Sequence, residues 1–179
     1  MAIGISGSIG VGDSLRPSVS EVFRDPWLLL ATGFGSGLAP RAPGTFGTLV
    51  ALPIYAMVFS LPWPAYLGLV IFGFLAGVVI CARAEQTLNA HDPSCLVWDE
   101  IIGYLVTMLP VVFGWVSGSF FALAAAGFVL FRIFDIAKPW PVKMLDQRVL
   151  GGLGTMADDI AAGIYAALVL GVAGSWLFA

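Results

Sequence analysis

Three long runs of this 179-residue chain, Ala42 to Ala82, Ile101 to Phe131 and Ile160 to Ala179, contain no Lys, Arg, Asp or Glu. A helix needs about 20 apolar residues to cross a hydrocarbon core roughly 30 Å thick, so runs of this length read as membrane helices. Within the first run, Leu61-Pro62-Trp63-Pro64 removes two amide donors in three residues and predicts a turn. The second run is too long for one span and breaks best at Gly114 to Ser119. The expected elements are five helices over about 46–60, 64–82, 99–114, 119–137 and 158–177. The first is short enough to be re-entrant, or to kink at Pro53. The predicted fold is an all-α, polytopic membrane bundle.

Composition supports that reading, with 59% hydrophobic and 11% charged residues, where a soluble domain carries about 25% charged. The charges occur in three stretches, 13–41, 83–100 and 132–159. In a five-span arrangement these all fall at one end of the bundle. Lys and Arg favour cytoplasmic loops, so Arg16, Arg24, Arg41, Arg83, Arg132, Lys138, Lys143 and Arg148 place that end in the cytoplasm. The turns at Pro62-Trp63-Pro64 and Gly114 to Ser119 lack basic residues and take the outside. A net charge of −3 argues against a nucleic-acid partner, which would require a basic surface. Cys81 and Cys95 have no CxxC spacing and read as ordinary small side chains. Residues 1–24 are rich in Gly and Ser without the apolar run of a signal peptide, and are expected to form a flexible cytoplasmic tail before a single membrane domain over 25–179.

This threading gathers Asp99, Glu100, Asp135, Asp158 and Asp159 at the cytoplasmic helix ends. A carboxylate costs roughly 2.5 kcal/mol or more at the centre of a membrane helix, so several together call for a compensating cation. Mg²⁺ suits them: it takes about six oxygen ligands and commonly uses one or two carboxylates, water and substrate phosphate. Five acids exceed that need, leaving some to act as supporting groups or bases. Arg132, Asp135 and Lys138 follow at spacings of three, which places them near one helix face. A guanidinium fork, an ammonium and a metal together are what phosphate binding asks for. The bland reading is an interfacial salt-bridge network with snorkelling Lys and Arg. Glycine-rich stretches at Gly33 to Thr45 and Gly151 to Gly154 can present backbone amides to an anion. Neither is a GxxxxGK[ST] loop.

In order along the chain, four motifs resemble the phosphatidylglycerophosphatase A family of bacterial membrane phosphatases. They are Gly35-x-Gly-Leu-x-Pro40 with Ala42-Pro-Gly-Thr45; Asp92-Pro93 with Trp98-Asp-Glu-Ile-Ile-Gly103; Phe131-Arg-x-Phe-Asp-x-x-Lys-Pro-x-Pro141; and Gly152-x-Gly-x-Met-x-Asp-Asp159 with Ala162-Gly163. Thr155 departs from the pattern, where the family usually has an aliphatic residue. The resemblance implies Mg²⁺-dependent removal of the terminal phosphate from phosphatidylglycerophosphate in phospholipid biosynthesis, at the cytoplasmic face of the bacterial inner membrane. With it come expected roles. Asp99, Glu100 and Asp159 would hold Mg²⁺, directly or through water, and Asp158 would orient ligands or the attacking water. Asp135 would be a further ligand or the base. Arg132 and Lys138 would bind phosphate, with Arg41, Lys143 and the Gly44-Thr45 backbone as further candidates.

Other chemistries lack their residues. No Cys-x5-Arg loop is present, His91 is a single histidine, and neither an Asp-x-Asp-x-Thr/Val stretch nor the acidic motif of CDP-alcohol phosphotransferases occurs. Direct water attack and an acyl-phosphate on one of the acids both remain open. The alternative outside this enzyme class is a small membrane transporter, which should carry charges near the bilayer midplane and often internal repeats. Membrane lipids are the expected surroundings, and the sequence carries no signal for an oligomeric state.

Overall fold

The computed structural model describes residues 16–140 and 142–177, and every regular element among them is helical. Two short helices, α1 (Val19–Arg24) and α2 (Pro26–Ala31), lead through a 3₁₀ turn at Ser36–Leu38 to α3 (Pro43–Val58). Then come α4 (Trp63–Leu88), α5 (Trp98–Thr107), α6 (Leu109–Val112), α7 (Phe120–Ala137), α8 (Val142–Arg148) and α9 (Gly152–Leu177). Of the proposed tail, residues 1–15 lie outside the described residues. Residues 19–24 are helical: Ser18 and Glu21 form a reciprocal capping box, and Val22 is fully buried.

Three helices, Trp63–Leu88, Phe120–Ala137 and the Gly152–Gly174 part of α9, are long and apolar enough to cross a membrane. All five expected apolar segments are helical, with three differences in extent. Six residues beyond the expected end of the second helix, α4 continues through Ala84 and Glu85, which face inward, to a left-handed Asn89. The first charge ends an apolar run, but Arg, Glu and Gln are good helix formers and do not end a helix. The predicted helix over 99–114 is instead α5 plus a single turn, α6. The break falls at Met108 because Pro110 has no amide to continue the ladder and its ring crowds the preceding turn. The last helix starts at Gly152, so the second glycine stretch is a left-handed Gly151 followed by the first turn of α9, and it does not line the charged cavity. A side chain on Gly152 would meet the backbone of Val78 and Ala82 in α4, so this glycine serves close helix contact.

At the centre lies α5, with residues Ile101 to Thr107 all buried. Its crossing with α9 is so close that a Cβ on Gly103 would lie 2.8 Å from the Asp159 carbonyl, and one on Gly163 would lie 2.5 Å from the Gly103 carbonyl. Polar groups tie neighbours to this helix. Tyr66 Oη donates to the Leu105 carbonyl at 2.8 Å, Tyr104 Oη to that of Ala124 at 3.0 Å, and Trp98 Nε1 to that of Gly73 at 3.1 Å. Away from the charged end, Tyr55 stacks on Phe120 at 5.7 Å, and Trp63 packs edge-on against Phe113. The molecule is a helical membrane bundle with chemically distinct ends.

Candidate active site

At the charged end, a cavity of about 300 Å³ is lined by Ala42, Pro43, Gly44, Asp92, Ser94, Leu96, Asp99, Glu100, Arg132, Asp135, Ile136, Lys138, Asp158 and Asp159. The helix ends supply this wall. Asp99 and Glu100 stand in the first turn of α5, where the helix dipole favours negative charge. That turn is anchored by the Val97 amide, which donates to the Ala31 carbonyl at 2.8 Å. The Gly103–Gly163 crossing then brings Asp158 and Asp159 of α9 alongside.

Asp99 and Asp159 are buried, and the Glu100 side chain is 13% exposed. One ligand oxygen from each of these three acids lies within 4.8 Å of the others. Asp99 Oδ1, Glu100 Oε2 and Asp159 Oδ2 are shielded from solvent without a hydrogen-bond partner. A buried carboxylate oxygen left without a donor is costly. A hard divalent cation removes that cost, and an all-oxygen donor set is the kind such cations take. The three acids can therefore hold a metal ion.

Two cations face this triad. Arg132 Nη1 lies 2.5 Å from Asp135 Oδ2 and 3.9 Å from Glu100 Oε1, while Arg132 Nε has no hydrogen-bond partner. Lys138 Nζ donates to Asp158 Oδ2 at 2.7 Å. A left-handed Lys138 caps α7 and turns the chain at this point. Of five non-glycine residues with positive φ among the described residues, three, Ala42, Asp92 and Lys138, line the cavity. Strained backbone thus concentrates at this site, as it does where geometry is over-determined for function. Gly44, in the first turn of α3, leaves room for two of these side chains: a Cβ there would displace Glu100 Oε1 and come within 3.0 Å of Arg132 Nη1.

All five acids named from the sequence, together with Arg132, Lys138 and Gly44, share the cavity. Arg41, Thr45 and Lys143 are not part of its wall; Arg41 and Lys143 are exposed and Thr45 is half-buried. Two lining residues, Asp92 and Ser94, carried no role in the sequence analysis. Asp92 was visible only as a piece of a motif, on a polar loop between helices. Behind that loop, Glu85 Oε1 accepts from Thr155 Oγ1 at 2.7 Å and from the Asp92 amide at 3.2 Å, and lies 3.6 Å from His91 Nδ1. Thr155, the departure from the family pattern, is thus the hydroxyl partner of a buried acid. Both cysteines are buried and unbridged, and burial pushes the Cys95 thiol up, away from a nucleophilic thiolate.

The family model described as phosphatidylglycerophosphatase A matches residues 29–173 of this chain. The chain belongs to the phosphatidylglycerophosphatase A family. Membership makes it an enzyme, a phosphoric monoester hydrolase. It is 44% identical to phosphatidylglycerophosphatase A of Escherichia coli (strain K12) over 82% of each chain. With the protein of the same name from Haemophilus influenzae it shares 37% identity over 86% of this chain and 91% of that one. A Bacteroides thetaiotaomicron protein, provisionally named a phosphatidylinositol-3-phosphatase, is 39% identical over 88% of this chain and 96% of its own length. No solved structure matches the chain.

Proposed function

We propose that this enzyme hydrolyses the terminal phosphate of phosphatidylglycerophosphate, with Mg²⁺, to give phosphatidylglycerol and inorganic phosphate for phospholipid synthesis. The observation that carries the reading is the set of three partnerless carboxylate oxygens on Asp99, Glu100 and Asp159, set opposite Arg132 and Lys138 in one cavity. The distribution of Lys and Arg supports a cavity facing the cytoplasm, in the bacterial inner membrane. There a lipid phosphate reaches the helix ends while its acyl chains stay in the bilayer.

Asp99, Glu100 and Asp159 would hold the Mg²⁺, which supplies electrostatic stabilisation to the phosphoryl group as charge redistributes in the transition state. Arg132 presents its guanidinium and Lys138 its ammonium to the phosphate oxygens. Asp135 and Asp158 hold those two cations in place through the contacts at 2.5 and 2.7 Å. The bare Gly44 leaves room at the amino terminus of α3, whose dipole favours the anion. As water oxygen bonds to phosphorus and the ester P–O bond breaks, a carboxylate of the cavity takes the water proton and then delivers it to the departing lipid alkoxide. Asp135, one of the cavity acids outside the metal triad, is nominated as that carboxylate. Arg41, Thr45 and Lys143 lie outside the cavity wall and are given no role in this proposal.

The test is phosphate release by purified protein in lipid, with and without Mg²⁺. Substrates are phosphatidylglycerophosphate, phosphatidic acid and phosphatidylinositol 3-phosphate, the last because one relative carries that name. Mg²⁺-dependent release fastest from phosphatidylglycerophosphate is expected. Preference for the inositol lipid would replace the proposed substrate, and metal-independent release would remove the triad from its role.

A further inference from the structure

The same two helices that carry Gly44 and Arg132 enclose a second, apolar space farther along the bundle. Leu49, Leu52, Pro53 and Ala56 of α3 and Phe120, Phe121, Ala124, Ala125, Phe128 and Val129 of α7 line a groove of about 480 Å³. It shares no lining residue with the catalytic cavity, but one exposed apolar face of α7 runs from one to the other. Ile136 lines the cavity and is 71% exposed; Ile133 is also exposed; Val129, Ala125 and Phe121 line the groove. Steps of three and four residues keep this series on one side of a helix. Along α3, Gly44 at the cavity is followed by Leu49, Leu52 and Ala56 in the groove. From Val129 to Phe120 the groove runs ~14 Å at the helical rise, close to the ~15 Å hydrocarbon depth of one leaflet.

We infer that the α3–α7 groove is a lipid-chain subsite, which takes one acyl chain of the substrate while its phosphate occupies the cavity. The inference rests on the phosphatase reading and adds the path by which a lipid enters. A diacyl lipid is the occupant that fits both parts at once: a phosphate among cations and acids, and a hydrocarbon chain leaving over Ile136 into an apolar trough. The groove between α7 and α9 shares Ala125 and Val129 with this one, but on α9 it begins only at Val169, ten residues beyond Asp159, whereas on α3 the favoured groove begins at Leu49, five residues beyond Gly44. Chain contact in the groove would contribute binding that is equal in the ground and transition states. It should therefore appear in KM and leave kcat alone.

Hydrolysis of dioleoyl phosphatidylglycerophosphate by the unaltered protein in vesicles is measured first. A photoreactive diazirine version of the same lipid, labelled near mid-chain, is then crosslinked, with unlabelled substrate as competitor. Competable labelling concentrated on α3 and α7 peptides is expected. Leu49→Trp and Ala56→Trp fill the groove, and displacing about two methylenes should raise KM for the dioleoyl substrate about ten-fold. With a dihexanoyl substrate both KM and kcat should stay near those of the parent, and Ala173→Trp in the other groove should change neither substrate. Hydrolysis accompanied by uniform, non-competable labelling, or equal KM changes for long and short chains, would overturn the subsite alone. No hydrolysis of either substrate would overturn the phosphatase reading, and this inference with it.

Discussion

Glu85 and the triad Asp99, Glu100 and Asp159 are acids withdrawn from solvent at the same end of one bundle, and their surroundings are opposite. Glu85 Oε1 accepts from a threonine hydroxyl and a backbone amide, with the His91 imidazole 3.6 Å away. Each triad acid keeps an oxygen with no hydrogen-bond partner. Burial alone thus fails to distinguish a structural acid from a chemical one. Satisfaction does, because a folded protein keeps a costly orphaned oxygen chiefly where something else is meant to bind it.

This contrast can be broken most directly at Asp159. Asp159→Asn should lower phosphate release at least about a thousand-fold, since the amide removes charge from the triad that the metal needs. Circular dichroism would confirm that the helices persist. Near-normal turnover in folded protein would remove Asp159 from the metal set. Chelation of the parent protein should abolish release, with Mg²⁺ restoring it. Saturating Mg²⁺ at about 100 times its dissociation constant should stabilise the fold by about 2.7 kcal/mol. A thermal shift that survives in Asp159→Asn would place the cation elsewhere.

Gly44→Ala comes next in size. Its methyl group must displace Glu100 or Arg132, and misplacing catalytic groups by an ångström costs about a hundred-fold. Release within a factor of three of the parent would show that the cavity is looser than the contact distances imply. The smallest effect belongs to the satisfied acid. Thr155→Val removes one donor from Glu85 and should cost about 1–2 kcal/mol of stability, while phosphate release changes by no more than about three-fold. A large loss of activity at unchanged stability would mean that Glu85, through the Asp92 loop, belongs to the chemistry after all.

The triad acids were plain in the sequence, whereas Glu85 was only one charge within the stretch 83–100. Asp99-Glu100 and Asp158-Asp159 stood out as charges at the ends of apolar runs, and Arg132-Asp135-Lys138 as a helical spacing. Thr155 showed only as a departure from a family pattern. Its bond to Glu85 spans 70 residues, and no local pattern announces it. The break at Met108 was missed because hydropathy is blind to a proline whose neighbours are all apolar. The early start of α9 was missed because Gly and Thr are poor helix formers in isolation, and contact with Val78 and Ala82 outweighs that preference.

By itself, the sequence determined a helical membrane protein with its charges at one end, because the length of an apolar run and the cost of a charge in hydrocarbon act on each segment separately. Only the tertiary structure decided which carboxylate oxygens go without a donor, that α5 is enclosed and short, and that α3 and α7 flank both a phosphate-sized cavity and an apolar groove. Those outcomes depend on how closely distant helices approach. That distance is set by side chains that are absent, at Gly44, Gly103 and Gly163, as much as by those present.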